Sequence, residues 1–224
     1  MLKNFKGKIG EFSYNTDEWL VTDTGYIYLT NSKSQPTVPK GLKKLNTLLQ
    51  SNSKCGTLIP KELSFKNFKS LGVENMDFLF FGSRFPEGYS LEGLETLGVK
   101  SMKYMFQGCT FPKNFIFGSK FSTENVENMD CMFLGATFYG DVDLSNFDTS
   151  KVKSMDGMFQ SCTFYGDVNL GSNFDTSNVE SMLGMFSGCK FLGKVNLGDK
   201  FSIKGNNPEN VFRDAKLPEG FSLK

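Results

Sequence analysis

The stretch from 126 to 197 repeats one pattern three times, and this repetition limits what the chain can fold into. Each copy opens with Val, has Met three and six positions after it, and has Phe seven positions after it. Each then continues as Phe-x-Gly-x-Val-x-Leu. A recurring unit of this size is typical of a repeat architecture, in which every unit packs on its neighbours and none folds alone.

Related units cover most of the chain. They open at 42 (a divergent copy), 73, 99, 126, 152 and 179, so the clear units recur every 26 or 27 residues. Residues 1–41 do not fit the pattern, and 212–223 resembles 80–91, which is the second half of a unit. Because a solenoid needs a different structure at each end, we predict an N-terminal β-rich cap and linker at 1–41. The repeats then form a solenoid over 42–205, and 206–224 is a C-terminal half-repeat cap.

Within 1–41, short strands are predicted at 11–14, 19–21 and 26–30. The turn signal Thr-Asp-Thr-Gly at 22–25 separates the last two strands. Trp19 is expected to pack on the first repeat unit.

Each unit divides into two halves of different periodicity. In the first half, Val126, Met129, Met132 and Phe133 fall on one arc at about 100° per residue, which predicts a short helix with a buried stripe. Asp-Thr-Ser runs such as 148–150 precede this half and offer N-cap oxygens. In the second half, apolar residues alternate with polar ones, which predicts a short strand. The fold class is therefore an α/β solenoid similar to leucine-rich repeats, with a short helix and a short strand in each unit of about 26 residues.

The full motif reads Val-x-x-Met-x-x-Met-Phe-x-Gly-Cys-x-Phe-x-Gly-x-Val-x-Leu, followed by Asn-Phe-Asp-Thr-Ser-x-Val. It resembles the repeat of the BspA-type leucine-rich repeat surface proteins, a family that includes bacterial lipoprotein repeats of unknown function. The resemblance is strong over 145–191 and looser over 73–125. It implies a leucine-rich solenoid with roles in adhesion and protein binding.

Stacking the units places equivalent side chains one above another, about 4.7–4.9 Å apart where strands pair. Two Phe ladders and one Met ladder result, and we interpret all three as core. Small residues share one register with three cysteines, which predicts buried, reduced thiols at Cys109, Cys162 and Cys189. Charges alternate in the position after the first Val, and this column is interpreted as a solvated salt-bridge face: Glu74, Lys100, Glu127, Lys153 and Glu180.

The residues that are absent exclude several chemistries. There is no His, so Ser-His-Asp and Cys-His catalytic groups and His-ligated metals are excluded, and no standard phosphate-binding glycine loop is present. We therefore expect a chain that is not an enzyme, with no cofactor, no metal and no catalytic residues. Asp141, Asp143 and Asp167 leave two alternatives open, a calcium site or a carboxylate pair acting on glycans. The net charge of +1 gives no reason to expect direct nucleic-acid recognition.

A binding surface is predicted where outward residues of successive strands meet. If Phe138, Val142 and Leu144 point inward, their neighbours must point outward. We name the nine outward residues the strand patch. Its members are Tyr139, Asp141, Asp143, Tyr165, Asp167, Asn169, Leu192, Lys194 and Asn196.

The function expected from this surface is binding of a protein partner by a rigid solenoid. A phage-type or intracellular inhibitor or sequestering factor is one setting, and a surface adhesin or structural component of a cell surface or virus particle is the alternative, including assembly into a larger complex. A glycan-acting enzyme is a minor alternative. No signal peptide and no membrane span are visible, which predicts a cytoplasmic or particle-associated protein, or a cell-surface protein if the sequence is a trimmed mature form.

Overall fold

The structure is a computed structural model that describes residues 7–9, 12–14, 20–21, 27–28, 57–59, 65, 72–203 and 205–223. Two antiparallel strand pairs lie in the N-terminal segment. Strand β1 (Gly7–Ile9) pairs with β2 (Phe12–Tyr14), and β3 (Leu20–Val21) pairs with β4 (Ile27–Tyr28). The three strands predicted there are confirmed, and β1 is an additional strand. Trp19 lies outside the described residues.

Parallel strands of two residues each form the repeats. A six-stranded sheet contains one strand from each unit: β5 (Thr57–Leu58), β6 (Ser83–Arg84), β7 (Thr110–Phe111), β8 (Thr137–Phe138), β10 (Thr163–Phe164) and β12 (Lys190–Phe191). A three-stranded sheet contains β9 (Val142–Asp143), β11 (Val168–Asn169) and β13 (Val195–Asn196). The repeats therefore form a β-rich solenoid in which neighbouring units pair in parallel.

A third line of contact between units is a series of single parallel bridges. Each bridge joins equivalent residues of two adjacent units, at the position two residues after the opening Val. The bridged residues are Asn75, Ser101, Asn128, Ser154 and Ser181. The divergent unit that opens at 42 joins the stack through β5, whose Leu58 pairs with Arg84. Ile59 follows β5 and is fully buried.

The predicted helix is wrong in the five units that open at 73, 99, 126, 152 and 179, whereas the first half of the unit that opens at 42 lies outside the described residues. Within 72–203 the Val-x-x-Met-x-x-Met-Phe segments are consecutive turns, and the described part of the chain contains one helix, α1 (Pro208–Val211), in the C-terminal segment. In the Val126 unit, the N–H groups of Cys131 and Phe133 donate to carbonyls of the next unit, at 2.8 Å each. The N–H groups of Met132 and Leu134 instead donate to the carbonyl three residues back. An α-helix needs every N–H to reach the carbonyl four residues back, so alternate bonding between units excludes it.

Left-handed backbone residues make these turns possible. Cys131 and Gly135 have φ of 54° and 68°, and the same two positions have positive φ in the other clear units. Gly184 and Gly188 occupy them in the Val179 unit. Glycine adopts this conformation without a steric cost, whereas glycine inside a helix is unfavourable by about 1 kcal/mol. Glycines four residues apart are thus the sequence signal for turns.

In the Val126, Val152 and Val179 units, the predicted strand is two strands. Strands β8 and β9 belong to different sheets, and residues 139–141 connect them through a bend. The same bend separates β10 from β11 and β12 from β13. The predicted inward and outward directions hold on both sides of the bend: Phe138, Val142 and Leu144 are buried, and Tyr139 and Asp143 are exposed.

The core consists of ladders of identical side chains, as the sequence predicts. The first Phe ladder runs through Phe80, Phe106, Phe133, Phe159, Phe186 and Phe212, with ring centroids 5.2–5.4 Å apart. The second runs through Phe85, Phe111, Phe138, Phe164 and Phe191, at 4.5–5.2 Å. Met76, Met102, Met129, Met155 and Met182 form the third and are fully buried.

Polar groups inside the stack bond from unit to unit. The thiols of Cys109, Cys162 and Cys189 are buried and free, as predicted, and each donates to a backbone carbonyl at 2.8–2.9 Å. A buried threonine ladder does the same with hydroxyls: Thr96, Thr123, Thr149 and Thr176 each donate to a carbonyl of the next unit. Asp148 and Asp175 each come directly before one of these threonines. The side chain of each aspartate accepts a hydrogen bond from the N–H two residues later, so the Asp-Thr-Ser runs form turns and not helix caps.

Candidate functional site

The apolar members of the strand patch form a column on the surface. Tyr139, Tyr165 and Leu192 each follow the last residue of their strand in the six-stranded sheet and are 48%, 51% and 63% exposed. The two tyrosine rings stack with centroids 5.1 Å apart and planes 17° apart. The backbone fixes this geometry, because the N–H groups of Tyr139 and Tyr165 donate to Phe111 and Phe138 of the preceding units. The column therefore stands on paired backbone and is open to solvent.

Glycines form the corner beside this column because the units approach each other too closely for a side chain. A Cβ placed on Gly166 would lie 2.5 Å from the carbonyl carbon of Gly140, and one placed on Gly193 would lie 2.5 Å from that of Gly166. Atoms without a bond between them do not come this close, so only glycine fits. The sharp corner separates the tyrosine column from the polar members of the patch.

Asp141 and Asp167 bond to the backbone of the next unit at the corner. Asp141 Oδ1 accepts from the N–H of Asp167 at 2.9 Å, and Asp167 Oδ1 accepts from the N–H of Lys194 at 2.8 Å. These carboxylates hold the corners of three successive units in register. Both side chains remain exposed.

The remaining patch residues form a side-chain ladder on the three-stranded sheet. Asp143 Oδ1 accepts from the Asn169 side-chain amide at 3.2 Å, and Asn169 accepts from that of Asn196 at 2.8 Å. Each of these groups thus has a partner in its neighbour. The nine predicted residues lie along three adjoining columns, one apolar and two polar.

The calcium alternative requires carboxylates that meet. Across the described ranges, no group of three or more Cys, Asp or Glu side chains is placed to hold a metal ion. Asp141, Asp143 and Asp167 therefore do not form a metal centre with one another.

The charge column has one ion pair among the residues that the structure describes. Lys100 Nζ lies 3.4 Å from Glu74 Oε2, and both side chains are substantially exposed. Along the rest of the column, successive residues contact through the backbone: the N–H of Glu127 donates to Lys100, and that of Lys153 donates to Glu127, both at 2.8 Å. Exposed pairs of this kind contribute little to stability.

Another carboxylate that bonds to the next unit, Asp130, lies on the turn side of the solenoid, which is the side formed by the Val-x-x-Met-x-x-Met-Phe turns. Asp130 Oδ1 accepts from the Ser154 hydroxyl and, at 3.1 Å, from the N–H of Asp156. The side-chain amide of Asn128 donates to Oδ2 at 3.0 Å, and Lys103 Nζ lies 3.4 Å from the same atom. Partial burial raises the pKa of Asp130, but these hydrogen bonds and the Lys103 charge outweigh it, so the pKa lies below its usual value.

The sequence reasoning missed an aromatic pair on the turn side. The rings of Phe78 and Tyr104 stack at 4.7 Å with planes 8° apart, and Phe78 is 39% exposed. Both residues have left-handed backbone, with φ of 60° and 56°. Glycine occupies this position in the Val152 and Val179 units, so aromatic residues here were not expected from the repeat pattern.

Comparison with protein families gives one finding. The family model described as "Mycoplasma protein of unknown function, DUF285" matches residues 46–164 and again residues 100–217. The second match begins 54 residues and ends 53 residues after the first, which is the length of two units. Comparisons with curated proteins and with solved structures gave no match. Within the described part of the chain, no helix is both long and apolar enough to cross a bilayer.

Proposed function

We propose, from the premise that this chain belongs to the DUF285 family of Mycoplasma proteins of unknown function, that it acts by binding a protein partner on a rigid solenoid surface. The binding surface is the strand patch. Catalysis has no part in this proposal, which fits a chain without histidine. The related proposal is that its units are a divergent form of the BspA-type leucine-rich repeat, on the strength of the motif over 145–191.

One observation carries the proposal: the tyrosine column is half-exposed, and its two rings stack on each other. Tyr139 and Tyr165 stack on each other outside the core, and Leu192 extends the apolar surface by one unit. Tyrosine is enriched at binding hot spots because a large ring with few rotatable bonds buries much area at a low cost in entropy. Here the entropy cost is lower still, since the backbone and the stacking already fix both rings. Polar residues beside the column supply the rim that such interfaces have.

The test begins with finding the partner. The purified chain is immobilised, the bound proteins from an extract of the source organism are identified by mass spectrometry, and the strongest candidate is purified. We expect the double variant Tyr139→Ala with Tyr165→Ala to weaken binding of that partner at least about tenfold, or about 1.4 kcal/mol. The melting temperature should change little, because both rings lie outside the core.

The matched control alters exposed residues on another column of the same units. Glu127→Gln with Lys153→Gln changes two exposed side chains and should leave the affinity nearly unchanged. Normal binding by the double tyrosine variant, combined with lost binding by the charge variant, would place the partner elsewhere and overturn the proposal.

A further inference from the structure

Backbone hydrogen bonds join successive units in a regular way on the side of the three-stranded sheet. The N–H of Val142 donates to Asp167, and that of Leu144 donates to Asn169, both at 2.8 Å. Val168 and Leu170 repeat this pattern one unit later. Where the pattern is complete, the Val and Leu positions of a unit bond toward the next unit, and the residue between them bonds toward the previous one.

The pattern is interrupted between the Val99 and Val126 units. Phe115 and Phe117 occupy the positions equivalent to Val142 and Leu144, with Ile116 between them. Ile116 bonds normally to the previous unit: its N–H donates to Tyr89 and its carbonyl accepts from Leu91. No backbone hydrogen bond, however, connects Phe115 or Phe117 to the Val126 unit.

Strand β9 is therefore an open edge. In the later units, the equivalent backbone groups bond to the previous unit. The N–H of Asp143 and the carbonyls of Asp141 and Asp143 therefore face the Val99 unit. They have no backbone partner there. An unpaired strand edge of this kind is a template for a further extended segment.

Close contacts limit the gap at both ends. At the corner, a Cβ on Gly140 would overlap the backbone of Lys113, so the two units touch. At the far end, the rings of Phe117 and Phe147 lie 5.2 Å apart at 71°. Between these contacts the units diverge and leave a cavity of about 430 Å³.

The cavity has aromatic walls, and the charged residues in its lining are all acidic. Phe115, Phe117, Phe138 and Phe147 contribute to its walls. Its lining also includes the acidic residues Glu92, Asp141 and Asp143, and no Lys or Arg. Only one oxygen of Asp141 and one of Asp143 are used within the fold, so the second oxygen of each can accept from a ligand.

We propose that the open edge of β9 and the cavity beside it bind an extended peptide segment of the partner, with a large apolar side chain in the cavity and a Lys or Arg against Asp141 and Asp143. Pairing with the edge supplies backbone hydrogen bonds, and the pocket and carboxylates select the side chains, which is how added strands are recognised in general. This inference rests on the proposed function and identifies the kind of segment that the partner presents. Because Asp141 and Asp143 also belong to the strand patch, the two surfaces adjoin.

The direct test uses the full-length chain labelled with ¹⁵N and a synthetic peptide. The probe is four residues long, so that it fits between the close contacts that limit the gap; it is blocked at both ends and reads Lys-Phe-Lys-Val. Hydrogen exchange at the amide of Asp143 should slow at least tenfold when the peptide saturates the chain. A matched peptide with Glu in place of each Lys should bind at least tenfold more weakly. Binding that leaves the Asp143 amide unprotected, or no binding at millimolar peptide, overturns the inference.

A pair of variants tests the backbone contact separately from the carboxylate. Asp143→Ala removes the carboxylate and keeps the N–H, whereas Asp143→Pro removes both, and proline is tolerated on an edge strand whose N–H is unpaired. The proline variant should bind the peptide at least tenfold more weakly than the alanine variant. Equal affinities would overturn the inference; if the proline variant does not fold, amide protection in the parent chain decides.

The double tyrosine variant separates this inference from the proposed function. It should bind the peptide normally, because neither tyrosine lines the cavity. If the peptide fails to bind while the tyrosine variant still loses the partner, the cleft inference fails and the proposed function stands. If the peptide binds the cleft while the partner ignores the tyrosine change, the strand-patch assignment fails instead.

Discussion

The rings of Phe133 and Phe159 lie parallel, with 0° between their planes and 5.4 Å between their centroids. Parallel rings in contact lie about 3.5–4.0 Å apart, so this centroid distance means that the rings are offset as well as stacked. Both are fully buried. Each ring therefore has an aromatic neighbour above and below, and the ladder transmits packing from unit to unit.

Phe159→Ala should be severely destabilising. The ring contacts Phe133 on one side and Phe186 on the other, so its loss opens a cavity between three units. Truncation of a buried Phe typically costs about 3–5 kcal/mol. Chemical denaturation with circular dichroism measures this loss, and the exposed Tyr165→Ala is the control. A melting temperature within one or two degrees of the parent would contradict the core ladder.

Gly166→Ala should also destabilise the chain strongly, although it adds only a methyl group. The new Cβ would meet the backbone of Gly140 and the Asp141 carboxylate at 2.5 Å, and neither neighbour can move without breaking the corner. Gly135→Ala is the matched control, because its φ is 68° but no atom lies within 4 Å of the added Cβ. We expect Gly135→Ala to cost about 1–2 kcal/mol from backbone strain alone, and Gly166→Ala to cost clearly more. Equal losses, compared by urea denaturation, would show that the units are farther apart than described.

Asp130 should make stability depend on pH in the acid range. Its pKa in the folded chain lies below the ordinary value of 3.8, so the unfolded chain takes up the proton first as the pH falls. The stabilisation from ionised Asp130 is therefore complete above the unfolded pKa and is lost as the pH falls below about 4 and through the folded pKa. Asp130→Asn should be less stable than the parent at pH 7. The difference should shrink when unfolding is measured at pH 3, and a constant difference from pH 7 to pH 3 would count against this role.

The buried thiols should be unreactive in the folded chain. Burial raises the pKa of Cys109 and Cys162, and it raises that of Cys189 to about 12, so the reactive thiolate is scarce at neutral pH. Labelling with a thiol reagent, read by mass spectrometry, should modify these three only after denaturation. The melting temperature should be the same with and without dithiothreitol. A large fall on reduction would indicate a disulfide in the native chain.

The repeat register, the core ladders and the outward residues could be predicted from the sequence, because each depends on which positions are apolar. Val126, Met129, Met132 and Phe133 are all fully buried, as the pattern indicates. The backbone conformation did not follow, since spacings of three and four residues also arise in consecutive turns. In this chain, half of the N–H groups in the segment donate to carbonyls of the next unit, whereas in a helix they would donate to carbonyls of the same segment.

The exposed residues of the candidate site could be predicted from the sequence, but the three-dimensional shape of the surface could not. Tyr139 and Asp143 alternate with buried residues, so their outward direction follows from the sequence. The bend at Gly140 depends on how closely the backbone of Lys113 approaches, which is a contact across the stack. The interrupted ladder at Phe115 and Phe117 is equally non-local, since nothing in the Val99 unit alone indicates which bonds its neighbour fails to make.

The hydrogen bonds between units run along the stack, and this has a mechanical consequence. When the two ends of the solenoid are pulled apart, the interfaces between units carry the same force in series, so they open one after another and not all together. Each detached unit of 26 or 27 residues releases roughly 90 Å of extended chain. The repeats should therefore lengthen under tension in equal steps, and the interface between the Val99 and Val126 units, which has the fewest bonds on the β9 side, should open early.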